Sequence, residues 1–231
     1  QETFLMRSPP LNPAREHPNP MLHGMADPIT LAYSTRAAEY IDRLGTIDAV
    51  HPSDRQLVAS WAELVEGKVI DAGCGPGHWT AFLRECGLTA LGVDQVPAFV
   101  DSARKNYPES RFQLGSLDAH DTDPRSVGGV HAWYSLIHHE PADIHVPLRE
   151  FARVLRPGGE LLIGFFEGPA LERFDHAVAP ACRWPVSALS EELDAAGFDI
   201  IETHTRTTLA HRPHGAIHAR RRERVAVAPA R

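Results

Sequence analysis

Val69-Ile70-Asp71-Ala72-Gly73-Cys74-Gly75-Pro76-Gly77-His78-Trp79-Thr80 decides how the rest of the chain is read. A short apolar strand runs into a glycine-rich turn, and the turn runs into the start of a helix. Glycine has no Cβ to hold a ligand off the backbone, and it takes positive φ freely. The helix beyond the turn offers N–H groups that lack partners of their own. Strand, bare turn and helix start, in that order, make a place for a nucleotide-like ligand. The spacing restricts which kind. Gly73, Gly75 and Gly77 read G-x-G-x-G, whereas the dinucleotide fingerprint is G-x-G-x-x-G. His78 stands where that fingerprint has its third glycine. A pyrophosphate cradle is disfavoured, and a related nucleoside site is not.

Working outward, strand and helix patterns alternate. Helices are expected over Ile29 to Arg43, with Leu31, Tyr33, Ala37, Tyr40 and Ile41 on one apolar side, and from the Ser53-x-x-Gln56 capping box to Val65. Strands are expected at Lys68 to Asp71, Leu88 to Val93, Arg111 to Leu114, Gly129 to Ser135 and Glu160 to Phe166. Between them lie helices at His78 to Cys86, Pro97 to Tyr107 and Pro141 to Leu155. The last carries Ile144, Val146, Leu148, Phe151 and Val154 as its apolar set. Arg156-Pro157-Gly158-Gly159 is a tight turn. Short connections between alternating elements imply a doubly wound, Rossmann-like parallel sheet. Glu167 to Trp184 is a longer irregular insert. Pro185 to Ala196 is helical, and the strands Phe198 to Thr205 and Ala216 to Arg221 have no helix between them, as an antiparallel hairpin requires.

The 231 residues suit one domain, at 29–225, between a proline-rich flexible arm at 1–28 and a tail at 226–231. A formal charge of −7 argues against general nucleic-acid binding. Cys74, Cys86 and Cys182 are few, odd in number and outside metal spacing, so no metal site is expected and a reducing, cytoplasmic setting fits. No apolar run approaches the ~20 residues of a membrane span, and no signal peptide is legible.

In such a sheet, ligands gather beyond the carboxyl ends of the strands. The distinctive residues lie there: Asp71 with its glycines, Asp94, Ser116-Leu117-Asp118, and Tyr134-Ser135 leading to His138-His139-Glu140. Asp94 stands about twenty residues past the glycine turn, where a carboxylate accepts bonds from ribose hydroxyls.

Val69 to Gly77 resembles the first motif of the class I S-adenosylmethionine-dependent methyltransferases, and Gly92-Val93-Asp94 resembles their second. Leu155 to Leu161 is similar to the turn before their fifth strand. Ala132 to His138 is similar to the fourth-strand motif of a small-molecule branch common in bacteria. The resemblance runs from Tyr33 to Arg221 and implies a seven-stranded, mostly parallel sheet whose C-terminal hairpin is antiparallel. It also implies S-adenosylmethionine as cofactor and a small-molecule acceptor, with S-adenosylhomocysteine as product. By the same resemblance Asp71 lies near the methionine amino group, and Ala72, Gly73 and Gly75 meet the methionine and ribose. Asp94 holds the ribose, with Gln95 and Val96 beside the adenine. Ser116 and Leu117 flank the adenine, Tyr134 and Ser135 line the floor, and Tyr33 closes over the methionine end.

Methyl transfer is an in-line displacement at a sulfonium, so the protein must orient the acceptor and exclude water. Where the acceptor loses a proton, His138 or His139 is the candidate base, since histidine titrates near neutrality. The insert is expected to cover the acceptor, with Phe165, Phe166, Phe174, His176 and Trp184 as an apolar wall and Arg173 or Arg183 meeting an anion. Trp79 is expected to pack its helix on the sheet, and Arg220-Arg221-Arg222 to be a solvated strand end. The competing readings are a cofactor-binding protein without turnover, a nicotinamide-dependent dehydrogenase, which the glycine spacing opposes, and a nucleic-acid methylase. The last is opposed by the acidic balance and by the absence of an Asn/Asp-Pro-Pro-aromatic run after the fourth strand.

Overall fold

The structure is a computed structural model and describes residues 27–208 and 212–223. The expected arm, apart from Asp27 and Pro28, and the expected tail lie outside the described residues. Asp27 and Pro28 belong to a helix instead. Asp27 caps α1 (Pro28–Thr35) through Thr30 N–H, and Pro28 supplies its first turn.

Five strands form the parallel body: β1 (Lys68–Ala72), β2 (Thr89–Asp94), β3 (Arg111–Leu114), β4 (Val127–Trp133) and β5 (Leu155–Glu167). Their order is β3-β2-β1-β4-β5. β1 pairs with β2 on one side and β4 on the other, so strand order reverses beside the glycine turn. β9 (His214–Arg221) pairs antiparallel with β5, and β8 (Phe198–Arg206) pairs antiparallel with β9. The expected terminal hairpin is therefore present. Among the described residues the sheet holds the seven expected strands and two more. The additional two are β6 (Glu172–Phe174) and β7 (Ala181–Trp184), so the insert is not irregular. β7 extends the last residues of β5, and β6 folds back on β7.

The crossovers are α4 (His78–Glu85), α5 (Pro97–Asn106), α6 (His145–Val154) and α7 (Val186–Ala195). α2 (Ala37–Leu44) and α3 (Pro52–Ala62) precede the sheet. The helix expected over residues 29–43 is broken at Arg36, and Leu31 is exposed rather than part of an apolar side. His51 caps α3, with its Nδ1 accepting from Ser53 N–H, so the Ser53–Gln56 capping box does not form. Residues 141–143 make a separate turn of 3-10 helix before α6, and Val146 faces solvent.

Side chains alternate across a strand, and β5 shows what that does here. Leu161 and Ile163 enter one core with Ile70, Val130, Leu148 and Phe151. Leu162 enters the other with Val69, Trp61, Trp79 and Leu83. Each fully buried aliphatic side chain contributes roughly 1.5–3 kcal/mol. Apolar packing on both faces leaves the strand ends as the place for polar chemistry. Trp79 packs its helix on the sheet as expected. Arg220 and Arg222 are not simply solvated: they pair with Glu160, and with Asp194 and Asp199. Among the described residues no helix is long and apolar enough to cross a membrane.

Candidate active site

A cavity of about 460 Å³ opens at the carboxyl ends of β1, β2 and β4, where strand order reverses. Of the residues named from sequence, Tyr33, Gly73, Gly75, Asp94, Gln95, Val96, Ser116, Leu117, Tyr134, Ser135, His138 and His139 line it. Asp71 and Ala72 do not. Asp71 is buried, with Oδ2 accepting from Thr80 Oγ1 at 2.5 Å and Oδ1 meeting His131 Nδ1 at 2.8 Å. The carboxylate thus braces α4 and β4 from below the turn. Ala72 is the closing residue of β1 and lies in the core.

The glycines have separate reasons. A Cβ on Gly77 (φ 92°) would stand 2.7 Å from Ala103 Cβ and 2.8 Å from the Phe112 ring, so this glycine serves packing. At Gly75 (φ 53°) the nearest atom to such a Cβ would be Tyr40 Cε1 at 4.0 Å. That open side is the cavity, and bare backbone faces it. Gly73 lies against Ser135, whose Oγ is buried and has no hydrogen-bond partner among the described residues.

Asp94 closes β2. Its Oδ2 accepts from Gly75 N–H and its Oδ1 from Val96 N–H, both at 2.8 Å. Burial pushes the carboxyl up to about 6, against the downward pull of the Val96 and Gly75 N–H groups. Each oxygen keeps a lone pair for a second donor.

His138 is held at both nitrogens. Nδ1 lies 2.8 Å from Pro180 O, a pure acceptor, so Nδ1 carries the proton and Nε2 accepts from Tyr33 Oη at 2.8 Å. Burial lowers its pKa, which keeps the ring neutral. His139 instead contacts Asp118 Oδ1 at 3.1 Å.

Of the expected apolar wall, Phe166, Phe174 and His176 come together, at ring separations of 5.2 and 5.8 Å from Phe166. Phe166 continues to Tyr134 at 4.8 Å, and His176 to His138 at 5.5 Å. Phe165 and Trp184 lie in the core instead. Arg173 is paired with Glu140, while Arg183 pairs with Glu172 and lies over Phe174. Tyr40, Phe99 and Trp133 also line the cavity and were missed in the sequence. The signal for Tyr40 was its place seven residues from Tyr33, two helical turns on, with the rings now 5.7 Å apart.

Sheet order, glycine turn and strand-end carboxylate define a Rossmann-like methyltransferase fold. Residues 69–159 match the family model described as a methyltransferase domain. Among curated relatives, an uncharacterised methyltransferase of Synechocystis is 27% identical over 146 residues, covering 59% of this chain and 69% of that protein. One from Mycobacterium bovis is 37% identical over 97 residues, covering 41% of this chain and 37% of its own length. The chain thus spans well under half of the mycobacterial relative. Among solved structures, the 1,6-didemethyltoxoflavin N1-methyltransferase of Burkholderia thailandensis, crystallised with S-adenosylhomocysteine, superposes with a TM-score of 0.66 at 21% identity. The match covers 88% of this chain and 94% of that one. The chain thus has the fold of S-adenosylmethionine-dependent methyltransferases and carries a match to a methyltransferase domain over residues 69–159.

Proposed function

We propose that this protein transfers a methyl group from S-adenosylmethionine to a small-molecule acceptor. The carrying observation is the pairing, across one cavity, of the bare backbone at Gly75 with the buried Asp94 carboxylate. The unpartnered Ser135 Oγ on the same wall supports a polar ligand there. These residues fit a nucleoside with a cationic amino-acid arm. Asp94 would take the ribose hydroxyls, with Gln95 and Val96 to one side of the base and Ser116 and Leu117 to the other. Gly73 and Gly75 would adjoin the methionine arm, Tyr134 and Ser135 its floor, and Tyr33 its cover. Bound there, the cofactor supplies a methyl group already activated on sulfur.

The protein's own work is to orient the acceptor and keep water out. His138 acts as a base only once the Tyr33 hydroxyl leaves Nε2, and His139 acts only from its contact with Asp118. Three free thiols, two of them buried, accord with a reducing, cytoplasmic setting. A second reading, cofactor binding without turnover, draws on the two occupied nitrogens of His138 and on the rings beyond Tyr134.

Calorimetric titration with S-adenosylmethionine and S-adenosylhomocysteine tests the proposal, with binding of both as the expected result. Binding of NAD in their place would sink it. Turnover in an acceptor screen then separates enzyme from binding protein.

A further inference from the structure

Tyr134 directly follows β4 with a φ of 56°, in the left-handed region. Residues with a Cβ seldom adopt that conformation, and they keep it where the surroundings over-determine it. Three contacts do so here. Its N–H donates to Gly164 O at 2.9 Å, its ring lies 4.8 Å from Phe166, and its hydroxyl meets His214 Nδ1. His214 opens β9 directly opposite Phe166 of β5 and is buried. Its Nε2 has no hydrogen-bond partner among the described residues and points toward Asp54 Oδ1, 3.8 Å away. Asp54, buried on α3, is held by both terminal nitrogens of Arg206 at the end of β8. Elements from both ends of the chain thus converge on one phenol.

The charge pattern sets the tautomer. A carboxylate beside Nε2 favours a proton there, which leaves the Nδ1 lone pair to accept from the Tyr134 O–H. We propose that His214, oriented by Asp54, is a positioning residue that fixes the Tyr134 hydroxyl and with it the left-handed turn flooring the cavity. The inference rests on the cofactor reading, because Tyr134 lines the cavity assigned to the cofactor. The network works with a neutral imidazole. Burial drives the His214 pKa down to about 4, Arg206, His51 and His204 oppose a positive charge, and Asp54 favours one.

The test combines S-adenosylmethionine titrations of variants with nitrogen NMR of the wild-type histidines. His214→Phe is expected to weaken binding about tenfold, the loss of about 1.4 kcal/mol. His214→Asn, whose amide oxygen can take the phenol's hydrogen bond, should recover most of it. The double variant His214→Phe/Tyr134→Phe should bind no more weakly than Tyr134→Phe alone, since partners in one contact are not additive. Losses that simply add, or an Asn variant as weak as the Phe variant, would overturn the proposal. Should His214→Phe fail to fold, the wild-type spectrum decides: a proton on Nε2 is expected, and a proton on Nδ1 overturns. Wild-type protein that ignores S-adenosylmethionine would refute the cofactor reading, and the tautomer would then judge the network alone.

Discussion

Asp94 carries two opposite pH dependences. Burial raises its carboxyl to about 6 in the folded chain. A folded pKa above the ordinary aspartate value of about 4 means that the group's contribution to stability is full below about pH 4 and is lost as pH rises through about 6. Ligand binding runs the other way, because the ionised carboxylate accepts from two hydroxyls while the acid spends one oxygen as a donor. Cofactor affinity should therefore climb from about pH 5 to about pH 7 and then level off, as calorimetry across that range would record. Asp94→Asn keeps the shape, removes the titration and should cost about 1.5–3 kcal/mol of binding at the plateau. A climb that persists in the Asn variant would assign it to another group. Asp94 was legible from its distance to the glycines alone. For Asp71, spacing places a carboxylate at the turn but does not say which neighbours bond its oxygens. Thr80 and His131 lie nine and sixty positions away.

At the scale of elements, Gly75 and Gly77 of the turn between β1 and α4 have unlike tasks, and an alanine substitution at each tells them apart. Gly77→Ala drives a Cβ into Ala103 and Phe112 and should lower the melting temperature sharply. Gly75→Ala meets nothing closer than 4.0 Å, so its stability cost should stay near the roughly 1–2 kcal/mol of a left-handed alanine. Its methyl group occupies cavity space, so S-adenosylmethionine affinity should suffer far more than the melt. Equal effects of the two variants on melt and titration would refute this division. Elements of the body were readable because each strand, turn and helix carries its own signal. β6 and β7 were not. They are three and four residues long, with Pro180 just before the second, and exist only because they pair with β5 and with each other. The break between α1 and α2 was equally hidden, since helical periodicity continues across Arg36. The backbone leaves the helical region at Arg36, at φ −111° and ψ 13°, where the guanidinium binds Glu39 and reaches Ala177 O in the insert.

For the whole molecule, the last strands close the sheet through a buried charge cluster. Glu160 on β5 bonds His218 Nε2 at 2.7 Å and Arg220 Nε at 2.8 Å, both on β9. Burial pushes its pKa up, but the bonds from His218 and Arg220 outweigh that and hold it below the ordinary value. A depressed carboxylate stabilises above its unfolded pKa, about 4.3, and the gain is lost as pH falls through the folded value. Glu160→Gln should lower stability at neutral pH by about 3 kcal/mol at most, since half-exposed Arg220 is partly screened. It should also flatten the acid limb of a melting-temperature profile. A variant with the wild-type acid limb would show that β9 is not held this way. The parallel order was legible because strand–helix alternation permits little else. The aromatic wall and His214 were not, since their residues come from β4, β5, β6 and β9 and meet only after the sheet has formed.

Tyr33 and Arg36 tie α1 and its junction with α2 to the insert, one through His138, which is itself anchored on Pro180, the other through Ala177. Residues far apart in the chain thus form one surface. In breeding terms, the two segments are a linked cassette. A chimera that exchanged 167–184 alone would leave Tyr33 and Arg36 facing a stranger, so any graft of this rim between relatives has to carry the N-terminal helix along with it.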